Sequence, residues 1–294
     1  MLSIALIKFS EYYFSVRRKA SAVIIALLLS TSQSVMPAGA DSYPGVLKEL
    51  NISSPEKDFP IRKVIIWTPD VSADQIDNLP IVYFLHGWPG TPVSMLSATV
   101  NALATSFDNG TAPFIAVFPD GNAKTHIDSE WADSADKKAM IETWLTKNVI
   151  QTVEAGNIRS RSNRAIAGFS MGGYGAAIIG LHHPELFSQV VTLAGYFVID
   201  DLTNAYGIKP NNSNKIKYQD PSNFLNKANK IRWFLAESNQ EYTTLIRGQA
   251  DQWAKKLKTV KAKYVTSKLP GGHSYAFVTS EMAPVTTWFA WGKN

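Results

Sequence analysis

The sequence predicts an α/β fold with a mostly parallel central sheet and helices on both faces. Two observations carry that prediction. Apolar, β-rich runs of four to six residues alternate with helix-like segments from residue 62 to the C-terminus. One of these runs, Arg164-Ala165-Ile166-Ala167, passes through the glycine-flanked turn Gly168-Phe169-Ser170-Met171-Gly172 into a helix-like stretch. About 250 of the 294 residues follow an N-terminal leader-like segment, which is ample for a single α/β domain.

Taken in order, strands are expected over 62–67, 81–85, 114–118, 164–167, 189–193, 231–236 and 262–266. Helices are expected over 93–107, 135–154, 172–182, 243–257 and 275–288. In the second of these, Met140, Ile141, Trp144, Leu145, Val149 and Val153 keep helical spacing, as a face buried on a sheet does. Ligands of such a sheet bind at the C-terminal ends of its strands. The segment 196–230 departs from the alternation. It is rich in Asn, Lys and Pro and lies between two strands, so it reads as a lid-like or substrate-contacting insertion.

Residues 1–40 read as a secretory signal. Arg17, Arg18 and Lys19 end a positive region, 22–29 is an apolar run too short to span a bilayer, and Ala38-Gly39-Ala40 supplies small residues for cleavage before Asp41. An uncleaved anchor is the competing reading. Residues 41–294 are expected to form the single α/β domain, with no stable membrane insertion after processing. With no cysteine, the chain has no disulfide, thiol nucleophile or thiolate metal site. The formal charge of +5 falls to +2 once residues 1–40, with four basic groups and one acidic, are set aside. No basic run interleaves with aromatics, so a nucleic-acid partner is not expected.

The chemistry centres on Ser170. The G-x-S-x-G turn lifts a serine hydroxyl to the top of the sheet, beside a helix N-terminus that favours negative charge. Such a serine needs a base. His273, in Leu269-Pro270-Gly271-Gly272-His273-Ser274, follows the last strand and fits the chain order of serine, acid, histidine. His182 and His183 end a helix, and His126 lies in a polar loop. The acid must follow a strand between Ser170 and His273. Glu241 lies a loop's length beyond 231–236, far enough to fold back to an imidazole; Glu237 is next, with Asp200 and Asp201 the remaining alternatives. His86-Gly87-Trp88 follows an apolar strand, so the backbone N–H groups of Trp88 and Met171 are the expected oxyanion donors. Trp88 and Trp131 are candidates for lining an acyl or sugar pocket.

The segments "VYFLHGWPG", "FIAVFPDGN", "RAIAGFSMGGYGAA", "HHPELFSQVVTLAG" and "LPGGHSYAF", in that order between Ile81 and Phe277, resemble the esterase D family of α/β hydrolases. That family includes secreted bacterial esterases, S-formylglutathione hydrolases and mycobacterial mycolyltransferases. The resemblance implies the α/β-hydrolase fold, with Ser170 as nucleophile, His273 as base, Glu241 where many relatives carry Asp, and no cofactor or metal. It implies a small-molecule ester or acyl-sugar substrate. Two activities follow: a secreted serine esterase, or an acyltransferase that passes the acyl group to a sugar hydroxyl. A non-enzymatic binding protein on the same fold would be expected to have lost one of these residues.

Overall fold

Eight strands carry the fold in the computed structural model, which describes residues 43–198 and 217–292. They are β1 (Val46–Ser53), β2 (Ile61–Thr68), β3 (Ile81–Leu85), β4 (Ile115–Pro119), β5 (Arg164–Phe169), β6 (Gln189–Leu193), β7 (Arg232–Ala236) and β8 (Lys263–Ser267). They lie in one sheet in the order β1-β2-β4-β3-β5-β6-β7-β8. β2 runs antiparallel to both of its neighbours, and every pair from β4 to β8 is parallel. β3 to β6 are buried at every position, which explains why they read as unbroken apolar runs: each is covered on both faces.

The covering helices are α1 (Ala73–Ile76), α2 (Pro92–Asp108), α3 (Ile141–Thr143), α4 (Ile150–Val153), α5 (Met171–His182), α6 (Gln249–Thr259) and α7 (Tyr275–Trp288). A π-helical stretch, Trp144–Val149, joins α3 to α4. Thr91 starts α2 by accepting the Ser94 N–H, with Pro92 in the first turn, where its missing donor costs nothing. α2 packs against α7 on one face of the sheet. The core includes the fully buried Trp67, Trp144, Trp233 and Trp253.

The seven expected strands are present within two residues of their predicted ends, and β1 is an addition. Its pattern, VLKELNIS, buries few positions because it is the sheet's edge. Two helices begin later than expected. The 135–154 segment becomes helical only at Ile141, because the Met140 N–H donates 2.6 Å to the Glu56 carboxylate and Asp133 accepts the Thr143 N–H at 3.0 Å. The 243–257 segment becomes helical only at Gln249, after Gly248 takes a left-handed φ of 81°.

Two parts of the predicted insertion lie among the described residues: Tyr196 and Phe197 are buried, and Pro221–Lys230 forms a 3₁₀ helix against α5. Residues 199–216, which include the alternative acids Asp200 and Asp201, lie outside the described residues, as does the signal segment 1–40. Among the described residues no helix is long and apolar enough to cross a membrane.

Candidate active site

The turn between β5 and α5 is built from backbone contacts that only glycine permits. A Cβ on Gly168 would collide with the Gly172 carbonyl, and one on Gly172 with the Leu85 carbonyl. Between them Ser170 adopts φ 55° and ψ −119°, a strained conformation for a residue with a side chain. It is held there by its N–H, which donates 2.9 Å to the Leu193 carbonyl of β6.

The structure brings together Ser170, His273 and Glu241. Ser170 Oγ lies 2.9 Å from His273 Nε2, and His273 Nδ1 lies 3.1 Å from Glu241 Oε2. The carboxylate only accepts, so the imidazole proton sits on Nδ1 and the Nε2 lone pair faces the serine hydroxyl. The other carboxylate oxygen accepts the Thr243 N–H at 2.8 Å, and the Glu241 side chain is only 1% exposed. Buried and bonded at both oxygens, it has little freedom to turn away. The Phe169 ring packs 4.9 Å from the imidazole.

Glu237 is occupied elsewhere. Its two oxygens accept the Gly248 N–H at 2.7 Å and the Ala250 N–H at 3.1 Å, capping α6. The other histidines also have partners. His182 and His183 converge on Glu142 Oε1 at 2.8 and 2.9 Å, while His126 pairs with Asp136 at 3.0 Å. Burial opposes the charge on His183, yet its bond to Glu142 and that carboxylate's charge raise its pKa above the usual histidine value.

On the opposite side of Ser170 is the His86-Gly87-Trp88 turn. A Cβ on Gly87 would meet Ser170 Cβ at 3.1 Å, so this backbone runs directly beside the serine. His86 is buried and shapes the turn. Its Nδ1–H donates 2.9 Å to the Gly87 carbonyl, and its Nε2 accepts the Gly121 N–H at 3.0 Å. Trp88 is 47% exposed, open to a ligand. Trp131 is fully buried, which corrects the expectation that it lines a pocket. Its ring lies against Gly121 and Gly175, and its Nε1–H donates 3.0 Å to the His86 carbonyl, so it braces the turn from beneath.

Several supporting residues carry no sequence motif. Ser238 Oγ accepts the Gly272 N–H at 2.9 Å, and Gln240 Oε1 accepts the Gly271 N–H at 3.0 Å. The Asn239 N–H donates 3.1 Å to the Leu269 carbonyl. These three bonds stitch the loop after β7 to the loop after β8. Glu130 and Trp131 both take left-handed φ values, 52° and 59°. Burial pushes the Glu130 carboxyl well above the usual carboxylate range, with Asp128 adding to the shift, and the Tyr196 hydroxyl donates to it at 2.6 Å. The order of small and polar residues around them gave no signal of this pairing.

Residues 61–284 match the family model named Esterase. No curated protein matches the chain in sequence. Several solved structures share the fold. A ferulic acid esterase superposes with a TM-score of 0.69 at 16% identity, over 84% of this chain and 97% of its own. An S-formylglutathione hydrolase from Agrobacterium tumefaciens gives 0.68 at 15%, over 84% and 95%. A fluorophosphonate-binding serine hydrolase of Staphylococcus aureus gives 0.67 at 19%, over 84% and 98%.

Proposed function

Because the chain belongs to the Esterase family and is an enzyme of the hydrolase class, we propose that it is a serine esterase working through Ser170, His273 and Glu241. The observation that carries this reading is the continuous hydrogen-bonded chain from Ser170 Oγ through the imidazole to Glu241. In the forward step Ser170 Oγ bonds to the ester carbonyl carbon while its proton passes to His273 Nε2. Glu241 keeps the second imidazole proton on Nδ1 and stabilises the imidazolium. The N–H groups of Met171 and Trp88 receive the oxyanion, each contributing roughly 3–4 kcal/mol to the transition state in comparable sites. The tetrahedral adduct collapses, and the alkoxide leaves with the proton from His273 Nε2. Water then attacks the acyl-enzyme by the same steps in reverse order. The substrate is a small-molecule ester, and no metal or cofactor takes part.

The protein acts outside the cytoplasm in this reading, exported by residues 1–40 and cut before Asp41. The support is the order of basic, apolar and small residues in that segment. Of the lid-like insertion around 196–230, the part next to the end of β6 is the candidate for touching substrate, since β6 ends beside Phe169, whereas Pro221–Lys230 packs on α5 and leads into the opposite end of β7.

A fluorophosphonate probe tests the central claim. Intact mass spectrometry is expected to show one adduct on the wild type and none on Ser170→Ala. An adduct that persists in Ser170→Ala sinks the proposal. Incubation with p-nitrophenyl esters, with and without trehalose, separates the two activities: free acid alone marks an esterase, and acyl-sugar marks an acyltransferase.

A further inference from the structure

The end of the sheet opposite Ser170 holds a cavity. Its volume is about 410 Å³, and Arg161, Ser188, Lys230, Arg232 and Lys263 are among its lining residues. Four of these are cations, in a domain whose formal charge is only slightly positive. No carboxylate lines the cavity, and among the described residues none of the four cations forms an ion pair.

The sheet's register forces the crowding. Gln189, Arg232 and Lys263 begin β6, β7 and β8, and they pair side by side in the parallel ladder. Neighbouring strands lie about 4.8 Å apart, and register partners project to the same face. Two like charges placed so repel each other unless a counter-charge sits between them. Lys230 joins them from the end of the 3₁₀ helix. Arg161 donates 2.6 Å to the Lys230 carbonyl and fixes that corner.

Two buried donors at this end of the sheet lack an acceptor. Ser188 lines the cavity, is 5% exposed, and its hydroxyl has no hydrogen-bond partner. Gln189 is fully buried. Its Oε1 accepts from Arg232 at 2.8 Å and from the Ala290 N–H at 2.9 Å, while its Nε2 has no partner. A buried donor without an acceptor costs on the order of 1–3 kcal/mol, so a ligand that supplies one is favoured. The four cations and the Ser188 hydroxyl, which line the cavity, call for the same thing, an oxygen-rich anion; Gln189 is not part of its wall.

We propose that this cavity is a binding site for a multivalent oxyanion, a phosphoryl- or polycarboxylate-bearing small molecule, separate from the site at Ser170. At 410 Å³ it exceeds what a single inorganic phosphate needs and falls in the range of small-ligand pockets. Arg161 already donates to the Pro184, Phe187 and Lys230 carbonyls, and Arg232 to Gln189 Oε1 and the Trp288 carbonyl, so both guanidiniums act as fixed charges, with the two exposed lysines as mobile point charges beside them.

Isothermal titration calorimetry of the whole protein with inorganic pyrophosphate, and separately with citrate, tests the site at constant ionic strength. Saturable 1:1 binding of at least one probe is expected. Binding of pyrophosphate alone identifies a phosphoryl ligand, and binding of citrate alone a polycarboxylate. The exposed pair Lys230→Ala and Lys263→Ala removes two charges without touching the core, and is expected to weaken that binding about tenfold or more. Ser188→Ala should weaken it severalfold with no loss of thermal stability, since the hydroxyl has no partner to lose. Ser170→Ala should bind as the wild type does. Absence of saturable binding by both probes overturns the proposal. So does binding that survives the double lysine variant, or binding that Ser170→Ala abolishes.

Discussion

Replacing Glu241 with Gln tests the proposed mechanism at the point where the structure is most explicit. The Glu241 oxygens face two different donors, the His273 Nδ1–H and the Thr243 N–H. An amide has only one oxygen to offer them. If that oxygen stays on Thr243, the NH₂ faces Nδ1, which must then accept, and the imidazole proton moves to Nε2 against Ser170. The base has lost its lone pair where it is needed. If the amide flips, its NH₂ meets the Thr243 N–H, two donors face to face in a buried position, at a cost on the order of 1–3 kcal/mol. The first arrangement therefore dominates, and kcat should fall about 10⁴-fold, or roughly 5 kcal/mol of barrier. Glu237→Gln is the control. It weakens two helix-capping bonds and should lower stability by about 1 kcal/mol while leaving kcat within a few-fold of wild type. Steady-state hydrolysis of p-nitrophenyl acetate, with thermal melts of each variant, gives both quantities. A Glu241→Gln enzyme within tenfold of wild type, or a Glu237→Gln enzyme that is the more damaged in kcat, would refute the reasoning.

Ser238→Ala removes the acceptor of the Gly272 N–H and should lower kcat about tenfold through loss of His273 positioning, with KM nearly unchanged, as steady-state kinetics will show. Gly168→Ala drives a methyl group into the Gly172 carbonyl; it should abolish fluorophosphonate labelling and destabilise the protein by about 1–3 kcal/mol or more in a urea titration. The Glu142–His183 pair predicts a pH dependence of stability. His183 has a raised pKa, so its contribution is complete below 6.5 and is lost as pH rises through the folded value. Burial opposes the charge on Glu142, but its bonds from His182 and His183 hold it below 4.5, so its contribution is lost only in acid. Melting temperature should therefore decline above pH 6.5, and His183→Gln should flatten that decline; an unchanged profile in the variant contradicts the linkage.

Much of this was legible in the chain because the information was local. β3 to β6 announce themselves as short apolar runs, since strands covered on both faces admit little else. Ser170 is flagged by glycines that the turn geometry demands, and His273 by its place after the last strand. The choice between Glu241 and Glu237 was not local. Both follow β7, and only the path of the chain decides that one oxygen pair meets the start of α6 and the other meets an imidazole 32 positions further along the sequence. β1 was missed because an edge strand buries little and so keeps little apolar pattern. The late start of α3 depends on Glu56, a residue 84 positions upstream that captures the Met140 N–H. Ser238, Gln240 and the brace at Trp131 work through backbone partners brought close by the fold, and nothing in their neighbours' identities announces that.

The stitching between the loops after β7 and β8 has a consequence for the proposed reaction. Three hydrogen bonds fasten the Glu241 loop to the His273 loop, whereas Ser170 is anchored to β6 and meets the imidazole through a single contact. The histidine loop is therefore tied more firmly to the loop that carries its carboxylate than to the serine. In that reaction the ring meets Oγ with its orientation already set by Glu241 on one side and by the Phe169 ring packed against it.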